Sequence, residues 1–376
     1  MGGKYPYRLW AEHLDVFDEV VVLGRGGPLG SAPGRLSLSS GPGVSHVFLG
    51  GRRGLARLGE VLLGNKEIER HVREADCVIA RLPSEIGLAA CAAASAQKKP
   101  YLVEVVASAW DALWHHGSIA ARAYAPVLEM RTKAAVGGAP LARYVTESFL
   151  QRCYPARGRV FTASNVVLEP LDREVLTLRR ASLMADSSPL VFGTIGSLNS
   201  RMKGLHDAIA ALSALKDELP PFTYRILGEG DAEPFRRLAE RAGLADRMFF
   251  DGVLPAGAPV AAWLDGVDVY LQPSLQEGLP RAVIEALGRA CLAVASTAGG
   301  TPELLPPKRL HPPGRHKALA LAISDLVKSA MEEKCAEVEA NWLTAARYEA
   351  SALVARRAES YQALAALAAS LGGGRG

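Results

Sequence analysis

Short apolar runs alternate with amphipathic stretches along most of the chain. In the second half, Leu190–Ile195, Thr223–Leu227, Met248–Phe250, Val267–Gln272 and Cys291–Ala295 are largely apolar and read as strands. Between them, Gly204–Leu219, Asp231–Ala242, Val260–Asp265 and Pro280–Arg289 place apolar residues at helical spacing. Strands that alternate with helices predict a parallel sheet. The first half repeats the alternation less regularly. Glu19–Leu23, His46–Leu49, Cys77–Ala80, Tyr101–Val106, Ala142–Thr146 and Val160–Thr162 read as strands, and Ile86–Gln97 as an alanine-rich helix. Gly24–Gly43 is rich in Gly, Pro and Ser and reads as a long loop. Asn165–Pro189 is polar and reads as a linker, and Ala340–Leu371 is a long amphipathic helical region. The pattern divides the chain into a domain at 1–168, a second at 169–345 and a terminal helix at 346–376.

A doubly wound domain ordinarily opens with a strand, a glycine turn and a helix. Here Tyr5–Phe17, with Leu9, Trp10, Leu14 and Phe17 at helical spacing, arrives at once behind Met1-Gly2-Gly3. In the order 3-2-1-4-5 the first strand is central. Without it, interior backbone groups go unpaired at about 1–3 kcal/mol each. The pattern therefore predicts a start upstream of Met1 or a truncated form, and a native mass matching 376 residues would refute the upstream start.

Composition adds bounds. The length suits two α/β domains. Cys77, Cys91, Cys153, Cys291 and Cys335 are scattered and never in C-x-x-C spacing, which speaks against a disulfide framework or a zinc site and for a reducing compartment. No spanning segment or signal peptide is visible, so the expected location is cytoplasmic. Net charge is +4, but residues 1–168 carry 20 Lys/Arg against 14 Asp/Glu and residues 169–376 carry 23 against 25. The excess at Arg52-Arg53-Arg57, Lys66-Arg70-Arg73 and Arg152-Arg157-Arg159 is either a solvated surface or an attraction to an anionic membrane face or a phosphate-bearing acceptor. No nucleic-acid module is visible. No G-x-G-x-x-G opens a helix after a strand, which excludes the usual nicotinamide site.

Candidate chemistry concentrates in Gln272–Glu303, QPSLQEGLPRAVIEALGRACLAVASTAGGTPE. Glu277 precedes a helix that Pro280 suits as a first-turn residue, and Glu285 lies over a turn into it. The free N–H groups of a helix start hold an anion without any side chain. Phosphate donors flanked by two carboxylates, which accept hydrogen bonds from hydroxyl groups, suit a sugar nucleotide.

The E-x7-E pair and the following S-x-x-GG-x-PELL loop resemble the donor-site motif of the retaining glycosyltransferase family 4, which has the GT-B fold. The run Glu277–Ala286 is similar to bacterial members that build capsule or exopolysaccharide. The resemblance is close in the second domain and loose in the first. It implies two Rossmann-like domains facing a central cleft, with the last helix crossing back onto the first domain through Trp342, Tyr348 and Tyr361. It implies that Glu285 meets the ribose and that Glu277 lies near the transferred sugar beside Gly278, Leu279 and Pro280. Gly196–Gly204 resembles the family's phosphate loop, with Lys203 on the diphosphate. Ser197 stands where many members have Arg, so Arg201 is expected to supply that charge. Gly228, Gly230 and Val253 resemble the segments beside the nucleotide. Glu104, Asp111 and His116 are acceptor-side candidates, although no histidine falls directly at the family's usual position.

The resemblance implies transfer of a hexose-type sugar from a nucleotide diphosphate to a saccharide or lipid-linked saccharide. The family's front-face mechanism needs no metal, and no cofactor is expected. Two rivals share the fold: a degenerate binding subunit supporting an active partner, and a sugar-nucleotide epimerase or hydrolase.

Overall fold

The computed structural model describes residues 2–3, 7–26, 37–49, 66–114, 119–166, 168, 170–185 and 189–372. The first-domain strands are β1 (Val20–Gly24), β2 (Val44–Phe48), β3 (Val78–Leu82), β4 (Tyr101–Val105), β5 (Leu141–Tyr144) and β6 (Arg159–Thr162). All pair in parallel, but among the described residues they form two sheets, β1–β2 and β3–β4–β5–β6. Gly2–Gly3, read as a glycine turn, instead pairs antiparallel with Ser37–Leu38. The first-domain helices are α1 (Arg8–Leu14), α2 (Lys66–Glu74), α3 (Glu85–Ala96), α4 (Ala109–Trp114), α5 (Ile119–Gly138) and α6 (Phe149–Cys153). Ser84 fixes the start of α3 by accepting from Gly87 N at 3.0 Å.

The second domain holds α7 (Arg173–Met184), β7 (Leu190–Ile195), α8 (Leu205–Leu215), β8 (Phe222–Leu227), α9 (Glu233–Ala242), β9 (Met248–Gly252) and α10 (Ala258–Asp265). It continues through β10 (Val269–Gln272), α11 (Arg281–Gly288), β11 (Leu292–Ser296), β12 (Leu310–His311), α12 (His316–Lys328) and α13 (Met331–Ala346). Its strands make one parallel sheet in the order β9-β8-β7-β10-β11-β12. Every residue of β10 and β11 is buried, as expected of central parallel strands.

The polar stretch 165–189 is not only a linker, because it contains α7. Asp172 caps this helix by accepting from Glu174 N at 2.8 Å, and Leu176 and Leu183 lie against the second-domain core. Arg179, part of the polarity that suggested solvent, is buried. Its guanidinium donates to Leu264 O at 3.0 Å and lies 3.8 Å from Asp268.

The last helix, α14 (Ala350–Gly372), returns to the first domain. Tyr361 and Leu364 pack there with Leu102, Leu141 and Phe161. Arg357 pairs with Glu12 at 2.6 Å and donates to Ser164 O at 2.8 Å. Trp342, expected in this seam, instead belongs to the second-domain core cluster that includes Phe192 and Val338. It belongs to α13, which lies against α7 and α11 and ends before the chain crosses over.

Among the described residues no helix is long and apolar enough to cross a membrane.

Candidate functional site

β7 and β10 are neighbours whose chains leave in opposite directions, β7 towards β8 and β10 towards β11. At such a switch the loops beyond the strands' carboxyl ends part and leave a crevice. The loop after β7 carries Lys203, and the loop after β10 carries Glu277. The structure brings these two together, with Lys203 Nζ donating to Glu277 Oε1 at 2.7 Å.

Two close approaches hold the loops in register. Leu275 N donates to Met202 O at 2.8 Å. Gly204 takes φ 66°, and a Cβ there would fall 1.9 Å from Pro273 O, so both conformation and space require glycine.

Glu277 Oε1 also accepts from Gln272 Nε2 at 2.8 Å and Ser274 Oγ at 2.7 Å. Gln272 is in turn fixed by Tyr270, whose hydroxyl donates to Gln272 Oε1 at 2.7 Å and accepts from Ile195 N at 3.2 Å. Tyr270, Gln272 and Ser274 are buried. This relay was not identified in the sequence. Its signal was a Tyr and a Gln two apart in an otherwise apolar strand.

Pro280 keeps an extended ψ of 100° and so stands just before α11, which begins at Arg281 without a side-chain cap. The first N–H groups of α11 are therefore left for another acceptor. Glu285, one turn in, is half-buried, and among the described residues no donor reaches its carboxylate. Burial holds its carboxyl above the ordinary range, with Arg281 opposing.

A raised carboxyl binds its proton more tightly in the folded than in the unfolded chain. That contribution is complete below the ordinary value of 4.5 and lost as pH rises through the folded value. Glu285→Gln should therefore raise the thermal midpoint at neutral pH, with the gain shrinking towards pH 4.5. A series of melts in buffers of different pH checks this, and a gain independent of pH would contradict it.

Gly196, Gly228 and Gly252 join the strand ends of β7, β8 and β9. Gly228 N donates to Gly252 O at 2.6 Å, and a Cβ on Gly228 would fall 1.9 Å from Gly196 O. Gly230 has φ 127° and closes on Asn199. Ser197 Oγ accepts from Asn199 N at 3.3 Å within this loop. Arg201 and Val253 are exposed.

The first domain meets the loop after β10 directly. A Cβ on Gly278 would fall 2.3 Å from Val106 O. Gln276, with its amide oriented to satisfy both partners, bonds Asp111 O at 3.2 Å and Ala112 N at 3.0 Å. Asp111 is thus near the cleft through its backbone, while His116 lies outside the described residues. Glu104 is buried and paired, at 3.2 Å from Arg143 and 3.7 Å from Arg81. Burial opposes its charge, but the two arginines prevail and hold its carboxyl below the ordinary range. Glu303, also missed, reaches across to the turn before α6. Among the described residues no group of three or more His, Cys, Asp or Glu side chains is arranged for a metal ion.

Two Rossmann-like domains, a crevice at the switch point of the second and a helix crossing back make this a GT-B fold. Residues 189–329, which run from the start of β7 to the end of α12, match the family described as Glycosyl transferases group 1. Protein CapJ of Staphylococcus aureus is 29% identical over 301 residues, 79% of this chain and 74% of CapJ. The putative colanic acid biosynthesis glycosyltransferase WcaL of Escherichia coli K12 is 38% identical over 128 residues, 32% of this chain and 31% of WcaL. Among solved structures, sucrose-phosphate synthase of Thermosynechococcus elongatus shares 18% identity and a TM-score of 0.68, covering 96% of this chain and 92% of its own. Anabaena HepE in complex with UDP gives 18% and 0.62, covering 92% and 100%.

Proposed function

We propose that the protein is a retaining glycosyltransferase that moves a hexose-type sugar from a nucleotide diphosphate to a saccharide or lipid-linked saccharide. The observation that carries this reading is the arrangement around α11: an uncapped helix start, Lys203 and Glu277 paired beside it, and an unpartnered Glu285 one turn in.

The diphosphate takes the α11 N–H groups and the charge of Lys203, with Arg201 at the rim. Glu285 accepts from the ribose hydroxyls. Glu277, held by Gln272 and Ser274, faces the transferred sugar and stabilises the positive charge that develops on its ring. The acceptor oxygen bonds to the anomeric carbon from the face the diphosphate leaves. The bond from that carbon to the phosphate oxygen breaks, and the departing phosphate takes the acceptor's proton. Configuration is retained, and no residue forms a covalent intermediate. The basic first half supports an acceptor that bears phosphate or lies at an anionic membrane face.

A thermal-shift series with UDP, GDP, ADP, dTDP and their sugar conjugates tests the donor site. UDP comes first because HepE was solved with it. A ligand at 100 times its dissociation constant raises stability by about 2.7 kcal/mol. One nucleotide family should raise the midpoint, and Glu285→Ala should shrink that rise. A folded protein that responds to none of them would refute transfer from these donors.

A further inference from the structure

Glu303 belongs to the second domain, but its carboxylate is spent on the first. Oε2 accepts from Glu147 N at 2.6 Å. Oε1 accepts from Ser148 N at 3.0 Å, Ser148 Oγ at 3.1 Å and Phe149 N at 2.8 Å. These donors form the turn that begins α6, so one carboxylate gathers the N–H groups of three successive first-domain residues.

The other side of Glu303 is bolted to the donor loop. Its own N–H donates to Gly300 O at 3.0 Å, and Gly300 N donates to Gly278 O at 2.6 Å. Gly299 takes φ 62° and presses so closely that a Cβ would fall 2.2 Å from Glu277 O. Ser296 Oγ donates to Ser274 O at 2.5 Å, which ties the same strand end to the residue that bonds Glu277. Thr301 is fully buried and donates to Ala298 O at 2.6 Å, so the short turn Thr301–Glu303 is anchored at its base. A rigid path thus runs from the backbone of Glu147–Phe149, through Glu303 and Gly300, to the backbone that presents Glu277.

We infer that Glu303 is a positioning residue that couples the seating of the first domain to the geometry of the donor loop. With Glu303 docked, Gly278 lies against Val106 and Gln276 against α4, and Glu277 has one position relative to the first domain. With the dock broken, the second domain still holds nucleotide through its own loops, but Glu277 is no longer registered to the acceptor's side of the cleft. This rests on the proposed transferase reading for its consequence in turnover, though the docking itself does not.

The test compares full-length wild type with Glu303→Ala, Glu303→Gln and Ser148→Ala in three measurements. Amide hydrogen exchange at Glu147–Phe149 should speed up in Glu303→Ala without a general rise across β7–β11. The dissociation constant for UDP should stay within about threefold, while UDP release from UDP-glucose falls at least about tenfold. Glu303→Gln keeps one acceptor oxygen and should fall between wild type and alanine. Ser148→Ala removes a single donor and should lower the rate by about twofold or less.

Unchanged exchange at 147–149 would overturn the docking. A loss of UDP affinity in proportion to rate, or an increased rate, would overturn the positioning role. If the wild type neither binds UDP nor releases it from UDP-glucose, the UDP-sugar form of the transferase reading fails, while the exchange comparison still decides whether Glu303 docks the domains.

Discussion

Glu277→Gln is expected to bind a nucleotide diphosphate at least as tightly as the wild type, while its transfer rate falls by on the order of 10²–10³. The two effects have one origin. Glu277 Oε1 takes the proton donors of Lys203, Gln272 and Ser274. Lys203 is therefore paired with a carboxylate. Removing the charge of Glu277 frees Lys203 for the diphosphate, so binding does not suffer. On the proposed reading, the same change removes the anion that faces the sugar as its ring becomes positive, and that interaction is made only in the transition state. A loss confined to turnover is the signature of such an interaction. Titration of UDP into both proteins, followed by initial rates with the responsive sugar nucleotide, checks the split. A variant that turns over like the wild type would remove Glu277 from the chemistry. One that loses affinity and rate together would make it a binding residue.

Glu104→Ala should lower the stability of the folded protein by about 3–5 kcal/mol, because it strands a buried cation. Arg143 is 2% exposed and lies between Glu104, Ser360 Oγ at 2.8 Å and Tyr361 hydroxyl at 3.2 Å. Its guanidinium also lies 4.7 Å from the Tyr361 ring. Ser360 and Tyr361 belong to α14, so the loss should loosen the return of the last helix as well as the sheet. The pH dependence runs opposite to that of Glu285. The Glu104 carboxyl is held below its ordinary value, so its contribution is present above 4.5 and lost as pH falls through the folded value. Urea denaturation at neutral pH and again in acid should show the gap between wild type and Glu104→Gln narrowing in acid. An unchanged denaturation midpoint combined with lost transfer would instead give Glu104 the acceptor-side role that its place at the end of β4 suggested.

How legible the molecule was depends on the range of the interactions involved. β10 and β11 are buried on both faces, so Val269–Leu271 and Leu292–Ala295 stand out as apolar runs. Lys203 and Glu277, which the structure pairs, could be singled out in the sequence because each lies in a loop a few residues beyond a strand. Arg179 misled because a buried guanidinium served by backbone carbonyls looks, in sequence, like one served by water. The docking of Glu303 on Ser148 joins positions 155 apart, and nothing local to either marks the other. The terminal seam was expected, but its residues were harder to assign. Tyr361 lies in it, whereas Trp342 sits on the preceding helix and faces the other domain.

The crossing of α14 has a consequence for biogenesis. The second domain is a continuous stretch, from α7 to α13, and can complete its core as soon as that stretch has left the ribosome. The first domain is synthesised earlier, but Arg143 keeps an unfilled bond to Ser360, and Leu102, Leu141 and Phe161 lack Tyr361 and Leu364, until α14 emerges. The order of completion is therefore the reverse of the order of synthesis. During elongation the first domain exposes an apolar seam that its own last helix later covers, and that interval is when it most needs protection from aggregation.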